Sequence, residues 1–338
     1  MSGAAGAQVV AGALAGLGSV DLAELNQVAA LQTRVDRKYV LGVSQVAGVL
    51  AGLPVGARVL EIAGRRCFGY DSVYFDTAGL LCYHAAAGRR RRRFKVRTRT
   101  YLDSGSCWLE VKTRGPRRTT VKHRLPYEVA DRDFLTPGRW FVNEVLCRER
   151  VVGARDLVLV PSLVTRYRRC TVVLPGEQAR VTVDTDLGWW VPAGASLAFT
   201  GRVVVETKTA AGASAVDRLL WSHGHRPVRI SKYAVGLAAL YPELPATRWR
   251  VTLRRHVHAL LPPAGQDTPS DHPGQAAHPQ ATHPSEGGAP LCLPPGLHPP
   301  AEAGGDALRD VPLSLPPGAP PRPDLVVAGD PPGWLQSS

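Results

Sequence analysis

The chain has 338 residues, 44% of them hydrophobic, enough apolar material for a real core. Its formal net charge is +13, and the eight acidic and two basic residues beyond position 261 leave about +19 on the first 260. Such a balance calls for a polyanionic partner: nucleic acid, an anionic membrane surface or a phosphate polymer. Six cysteines without a C-x-x-C pair argue against a structural zinc site and a disulfide framework. No stretch reaches the ~18 uninterrupted apolar residues of a membrane span, and the Ala/Gly-rich start lacks the basic residues of a secretory signal. The expectation is a cytoplasmic protein that meets a membrane only through a partner.

In chain order, residues 1–20 read as a flexible N-terminus. Asp21 can cap a helix running to about Gln32, with Leu22, Leu25, Val28 and Ala29 on one face. A strand follows at 34–41, then a helix from Ser44 that ends near Gly52-Leu53-Pro54. Period-2 alternation predicts strands at 68–76, 93–101, 107–114 and 120–129. A helix at 139–150 follows Thr136-Pro137-Gly138, and strands at 157–173, 179–186 and 201–208 come next. Helices at 213–223 and 232–240 close the region. Beyond it, 19 of the 29 prolines fall within 262–332, where His272, His278, His283 and His298 each precede a proline. That composition cannot offset its ordering entropy, so 244–338 is expected to be a disordered tail and 21–243 the domain. Eight antiparallel strands can close on themselves and remove exposed edges, so the expected fold is α+β: a closed eight-stranded barrel, or tunnel, with flanking helices.

Alternation also sorts the charges. One face of the third strand carries Arg93, Lys95, Arg97 and Arg99; one face of the fourth carries Glu110, Lys112 and Arg114. Arg202, Glu206 and Lys208 align on the last strand, and Arg34, Asp36 and Lys38 on the first. Arg166 pairs with Arg168, and Arg180 with Thr182, Asp184 and Asp186. On a single strand such a face is ordinary solvated surface. Repeated across these strands, mostly cationic, it needs counter-charge, because like charges on neighbouring strands repel. Turned inward, these faces would line a cationic channel for a linear polyanion. The arginine run 89–93 starts just after Gly88 and reads as an exposed rim. It could also suggest nucleic acid, but no helix has a basic recognition face and the aromatic spacing of an RNA-binding sheet is missing, so no nucleic-acid partner is expected.

The strings Arg34-Val-Asp-Arg-Lys-Tyr39, Ser72-Val-Tyr-Phe-Asp-Thr77 and Lys95-Val-Arg-Thr-Arg-Thr-Tyr101 closely resemble the VTC domain of polyphosphate polymerases. Trp108-Leu-Glu-Val-Lys112, Val121-Lys-His-Arg124, Val205-Glu-Thr-Lys208 and Ile230-Ser-Lys-Tyr233 continue the resemblance in order, over about residues 20–243. The family belongs to the triphosphate tunnel metalloenzymes, also called CYTH-like, whose site lies inside an eight-stranded barrel. The resemblance implies an ATP-dependent polyphosphate polymerase aided by a divalent cation, manganese or magnesium. It implies that Arg97, Arg99, Lys112 and Lys232 surround the transferred phosphate and that Lys38, Lys122, Arg166, Arg180 and Lys208 bind further phosphates. Glu206 is the implied metal carboxylate. Hydrolytic relatives open with Glu-x-Glu-x-Lys where this chain has Arg34-x-Asp36-x-Lys38, which favours a phosphate oxygen over water as the nucleophile.

That implied chemistry needs no Ser, Cys or His nucleophile, and His84 and His123 read as rim or hydrogen-bonding histidines. The competing readings are a non-catalytic binder or sensor of polyphosphate or triphosphate, and an inorganic triphosphatase; residue types alone do not separate them. Chain length of the product, oligomeric state and any membrane partner have no signal in the sequence.

Overall fold

The computed structural model describes residues 4–28, 35–114, 120–192 and 194–257 and the backbone of Val326–Val327. Contacts divide the chain into two units, 1–262 with 324–338, and 263–323; all that follows concerns the first. The proline-rich segment, its histidines and Arg34 lie outside the described residues.

The strands are β1 (Gly18–Val20), β2 (Val35–Gly42), β3 (Arg58–Leu60), β4 (Cys67–Asp76), β5 (Lys95–Tyr101), β6 (Ser106–Arg114), β7 (Thr120–Tyr127), β8 (Val160–Leu174), β9 (Ala179–Trp190), β10 (Ser196–Ala198), β11 (Arg202–Thr209) and β12 (Val326–Val327). The helices are α1 (Ala4–Ala13), α2 (Leu22–Val28), α3 (Val43–Ala51), α4 (Leu81–Ala87), α5 (Arg139–Arg148), α6 (Ala215–Ser222), α7 (Lys232–Leu240) and the short α8 (Arg250–Thr252). Eight long strands run antiparallel in the order β7-β6-β5-β4-β8-β9-β11-β2. They coincide with the eight that alternation predicts.

The sheet is not closed into a barrel, which corrects the sequence expectation. Its edges are β2 and β7, and β7 pairs outward with β12 instead of with β2. The edge of β2 is met by the connection between α6 and α7, where the Val228 N–H donates to the Lys38 carbonyl at 2.7 Å. A hydrogen-bonding edge covered by a loop is satisfied without a neighbouring strand.

Helices cover the outer face. Tyr39, Leu41, Val181, Val183, Val203 and Val205 pack there against Val46, Val49 and Leu50 of α3, Val216 and Leu220 of α6, and Val10 and Leu14 around α1. Residues 4–20, expected to be flexible, thus supply a helix that buries two core side chains. Asp217 anchors α6: its carboxylate, fully buried, accepts from Tyr39 Oη (2.6 Å), Thr207 Oγ1 (2.7 Å) and the Ser214 N–H (2.8 Å). On the other half of the sheet, Leu109 and Val111 meet Phe141, Val142, Val145 and Leu146 of α5. Packing continues past residue 243, where composition placed the boundary: Trp249, Leu253 and Val257 join the core. No helix among the described residues is long and apolar enough to cross a membrane.

One helix enters the concave side. Tyr233 to Ala239 of α7 are all buried, and Gly236 lies so close to the Trp189 indole that a Cβ there would collide with it. Trp189 Nε1 donates to the Lys232 carbonyl (2.7 Å), fixing the start of α7 against β9.

Candidate functional site

Strand register decides which side chains share the concave face. Arg97 of β5 lies opposite Tyr74 of β4 and Glu110 of β6, and Glu110 lies opposite Arg124 of β7. Lys95 and Lys122 flank Lys112 in the same way. Arg99 faces Ser72 and Trp108. Across the sheet, Glu206 stands between Lys38 and Thr182, and Lys208 between Asp36 and Arg180. Lys232 comes from the first turn of α7, where its ammonium bonds Asp184 and lies 4.4 Å from the centre of the Tyr167 ring. The register therefore brings Lys38, Arg97, Arg99, Lys112, Lys122, Arg180, Glu206, Lys208 and Lys232 to one face.

Arg166 does not join them. It pairs in register with Asp71, whose carboxylate it contacts at 2.8 Å on the opposite side, and its side chain is 56% exposed. In the string Arg166-Tyr167-Arg168-Arg169 the inward residues are Tyr167 and Arg169. Tyr167 stacks on Tyr70 (5.2 Å, 2° between planes), and Arg169 binds Asp184 with both ends of its fork (2.6 and 2.8 Å). Alternation in β8 is unbroken here; the irregularity in its pairing with β9 puts the extra residue on β9, at the positive φ of Asp186. Arg169, Glu110, Asp184, Arg124 and Lys95 are thus lining residues that the implied site omits. Lys95 and Glu110 had a signal in their alternation; Arg169 had none, because either pair in that string fits a period of two.

Asp36 stands on this face opposite Lys208, and three further carboxylates pair closely with its cations. Glu110, 1% exposed, accepts from Arg97 Nε and Nη2 (2.8 and 2.6 Å) and has Lys122 at 3.8 Å. Burial pushes its carboxyl up, but Arg97, Arg99, Lys112 and Lys122 outweigh that and hold it well below the usual carboxylate range. Asp184 stays ionised for the same reason, burial being overcome by Arg169 and Lys232. Glu206 lies 2.9 Å from Lys208 and 3.7 Å from Lys38, and these cations likewise outweigh its burial.

The cations are still in excess. Arg97 and then burial push Lys112 well below the usual lysine range. Burial is the main cause that brings Lys95, Lys122 and Lys208 down to about 8. Aromatic faces take up part of the charge: Arg97 lies 5.5 Å from the Tyr74 ring, Arg99 5.5 Å from Tyr70 and Arg124 5.2 Å from Trp108. A face of this kind gains when a polyanion replaces lost solvent.

For a divalent cation the fit is narrow. Among the described residues no three His, Cys, Asp or Glu side chains gather as a cage. Asp184 has both oxygens committed to arginine and lysine, and Glu110 has Oε2 committed to Arg97 while its Oε1 meets only Lys122 at 3.8 Å. Glu206 Oε1 likewise has only the 3.7 Å lysine contact, so either glutamate can offer one oxygen to a metal whose other ligands are phosphate oxygens and water, a common arrangement for magnesium.

Solved structures with a similar course of the chain include a candidate adenylate cyclase of Bacillus halodurans, which aligns over 59% of this chain and 93% of its own at 12% identity (TM-score 0.39). A candidate adenylyl cyclase of Hippeastrum, described as having a dominant triphosphatase activity, covers 64% and 100% at 12% identity (TM-score 0.36). A Pyrococcus horikoshii protein covers 57% and 88% at 14% identity (TM-score 0.28). Likenesses this loose say nothing about function. No curated protein matches. The sequence pattern of the VTC domain matches residues 33–241, a span that holds every lining residue described above, and the chain belongs to the VTC domain family.

Proposed function

We propose that the concave face transfers the γ-phosphate of ATP to the end of a growing polyphosphate chain. The observation that carries this reading is the gathering of Arg97, Arg99, Lys112, Lys122, Arg169 and Lys232 on one face, where the cations outnumber the carboxylates Asp36, Glu110, Asp184 and Glu206. Phosphoryl transfer needs little covalent chemistry from a protein; positioning and charge stabilisation are the main requirements. Arg97, Arg99, Lys112 and Lys232 would surround the transferred group, while Lys38, Lys122, Arg169, Arg180 and Lys208 hold neighbouring phosphates. Glu110 and Asp184 keep the guanidinium and ammonium groups aimed inward before substrate arrives.

The terminal phosphate oxygen of the chain attacks the γ-phosphorus in line. A P–O bond forms there, the bond from the γ-phosphorus to the β–γ bridging oxygen breaks, and ADP leaves with that electron pair. A magnesium or manganese ion, held by Glu206 and phosphate oxygens, supplies neutralisation of phosphate charge when bound. Each lining carboxylate sits beside cations, which leaves no free base to activate water and disfavours the triphosphatase reading. A binder or sensor would use the same lining without turnover.

The test is incubation of the purified protein with ATP and manganese, with products resolved on a gel. A ladder of phosphate chains is expected, lost in Arg99→Ala, Lys232→Ala and Glu206→Gln while the fold survives. Monophosphate alone would point to hydrolysis, binding without any product to a sensor, and full activity in the Arg99→Ala/Lys232→Ala double variant would refute the site.

A further inference from the structure

A second concentration of cations lies where the start of β2, the start of β5 and the segment 228–231 meet. A cavity of ≈ 210 Å³ is lined there by Asp36, Lys38, Arg93, Lys95, Arg229 and Arg248, among other residues. Lys38 and Lys95 belong to the concave lining, so the cavity continues that lining outward. Arg93 enters from the turn before β5, Arg229 from the segment that covers the edge of β2, and Arg248 from the stretch before α8. None of these three arginines has a carboxylate within ion-pair distance among the described residues, and Asp36 lies in register with Lys208.

The arginines repel one another. Burial, Arg114 and Arg248 all push Arg93 below the usual arginine range. Burial, Arg89, Arg229 and Arg114 do the same to Arg248. Uncompensated like charge of this density weakens the free protein and is relieved by an anion. A single-stranded nucleic acid would also want exposed rings on which bases stack. The cavity has only Trp249, 3% exposed and packed in the core. Chemistry and continuity both favour a bare phosphate chain.

We propose that this arginine cavity is a second binding site, which holds the stretch of polyphosphate lying beyond the phosphates on the concave face. The proposal rests on the reading that the concave face takes polyphosphate. Arg93, Arg229 and Arg248 do not reach the reacting phosphate; they retain the chain, so affinity rises with chain length and products stay bound longer.

The experiment compares dissociation constants of tripolyphosphate and of a polyphosphate of many tens of units, at several salt concentrations. It uses the full chain and the variant Arg93→Gln/Arg229→Gln/Arg248→Gln, with melting curves as a fold control. The expected result is at least a tenfold loss for the long chain, a salt slope shallower by about 2, given ~0.7 per lost contact, and unchanged tripolyphosphate binding. If the triple variant does not fold, Arg229→Gln alone, at an exposed position, is expected to weaken only the long chain. Equal loss for both ligands, no loss for the long chain, or wild-type protein that binds both alike overturns this proposal while leaving the concave-face reading intact. Wild-type protein that binds neither overturns both. Tighter binding of single-stranded RNA than of long polyphosphate also overturns the proposal.

Discussion

Glu110 shows how a buried charge can serve a site that is built to be emptied of solvent. It holds Arg97 by two hydrogen bonds and faces Lys122. Removing one partner of such a buried pair leaves the other uncompensated, at a cost of about 3–5 kcal/mol. Glu110→Ala is therefore expected to lower the melting temperature sharply, and polyphosphate is expected to restore more stability to this variant than to wild type. Calorimetric melts with and without ligand check this; an equal ligand-induced shift in both proteins would separate Glu110 from the anion site. The lysines give a pH dependence. Lys95, Lys122 and Lys208 sit at about 8 in the folded protein, against about 10.4 for an unperturbed lysine. Between those values the unfolded chain binds more protons, so the free protein gains stability as pH rises from 8 towards 10. A bound polyanion favours the charged lysines, so binding takes up protons and affinity falls over the same window. Calorimetry in two buffers of different ionisation heat, at about pH 8.5, should show net proton uptake; none would contradict the stated shifts.

Among the elements, α7 matters most, because it carries Lys232 and is wedged against β9 with no room at Gly236. Gly236→Val forces that wedge open. Overpacking of this kind costs about 1–3 kcal/mol, and the displaced Lys232 ammonium should lose Asp184, so chain synthesis should fall further than stability alone explains. Activity measured well below the melting temperature is the check. The same scale shows what the sequence made legible. The long strands were readable because most of them alternate an apolar face against helices with a charged one, a pattern with a period of two; β4 and β8 depart from it, with Asp71 and Arg166 paired on the outer face. The helix α4 was not readable: its start is fixed by Asp76 at the end of β4, which accepts from the Cys82 and Tyr83 N–H groups (2.8 and 3.0 Å) and is itself held by the distant Tyr233 hydroxyl. Arg166 was misplaced for a related reason. Alternation runs unbroken through this stretch of β8, and which of its two faces turns inward is set by pairing with β4, where Arg166 meets Asp71. Barrel closure failed to follow from strand count because the covering of an edge by the segment at Val228 depends on tertiary placement.

For the whole molecule, the account is electrostatic. A basic domain gathers cations on a concave face and in the adjoining arginine cavity, and they outnumber the carboxylates Asp36, Glu110, Asp184 and Glu206 there. A ligand that binds the folded state alone, at 100 times its dissociation constant, adds about 2.7 kcal/mol of stability. Polyphosphate should therefore raise the melting temperature, and raise it less as salt increases, since counterion release drives such binding. A shift insensitive to salt would mean that the lining cations are not the ones engaged.

The most direct measurement is a crystal structure of the protein soaked with tripolyphosphate. The account predicts difference density on the concave face, with phosphate oxygens within hydrogen-bonding distance of Arg97, Arg99 and Lys232. Density on the outer face beside Asp71 and Arg166, with the concave side chains undisturbed, would contradict it.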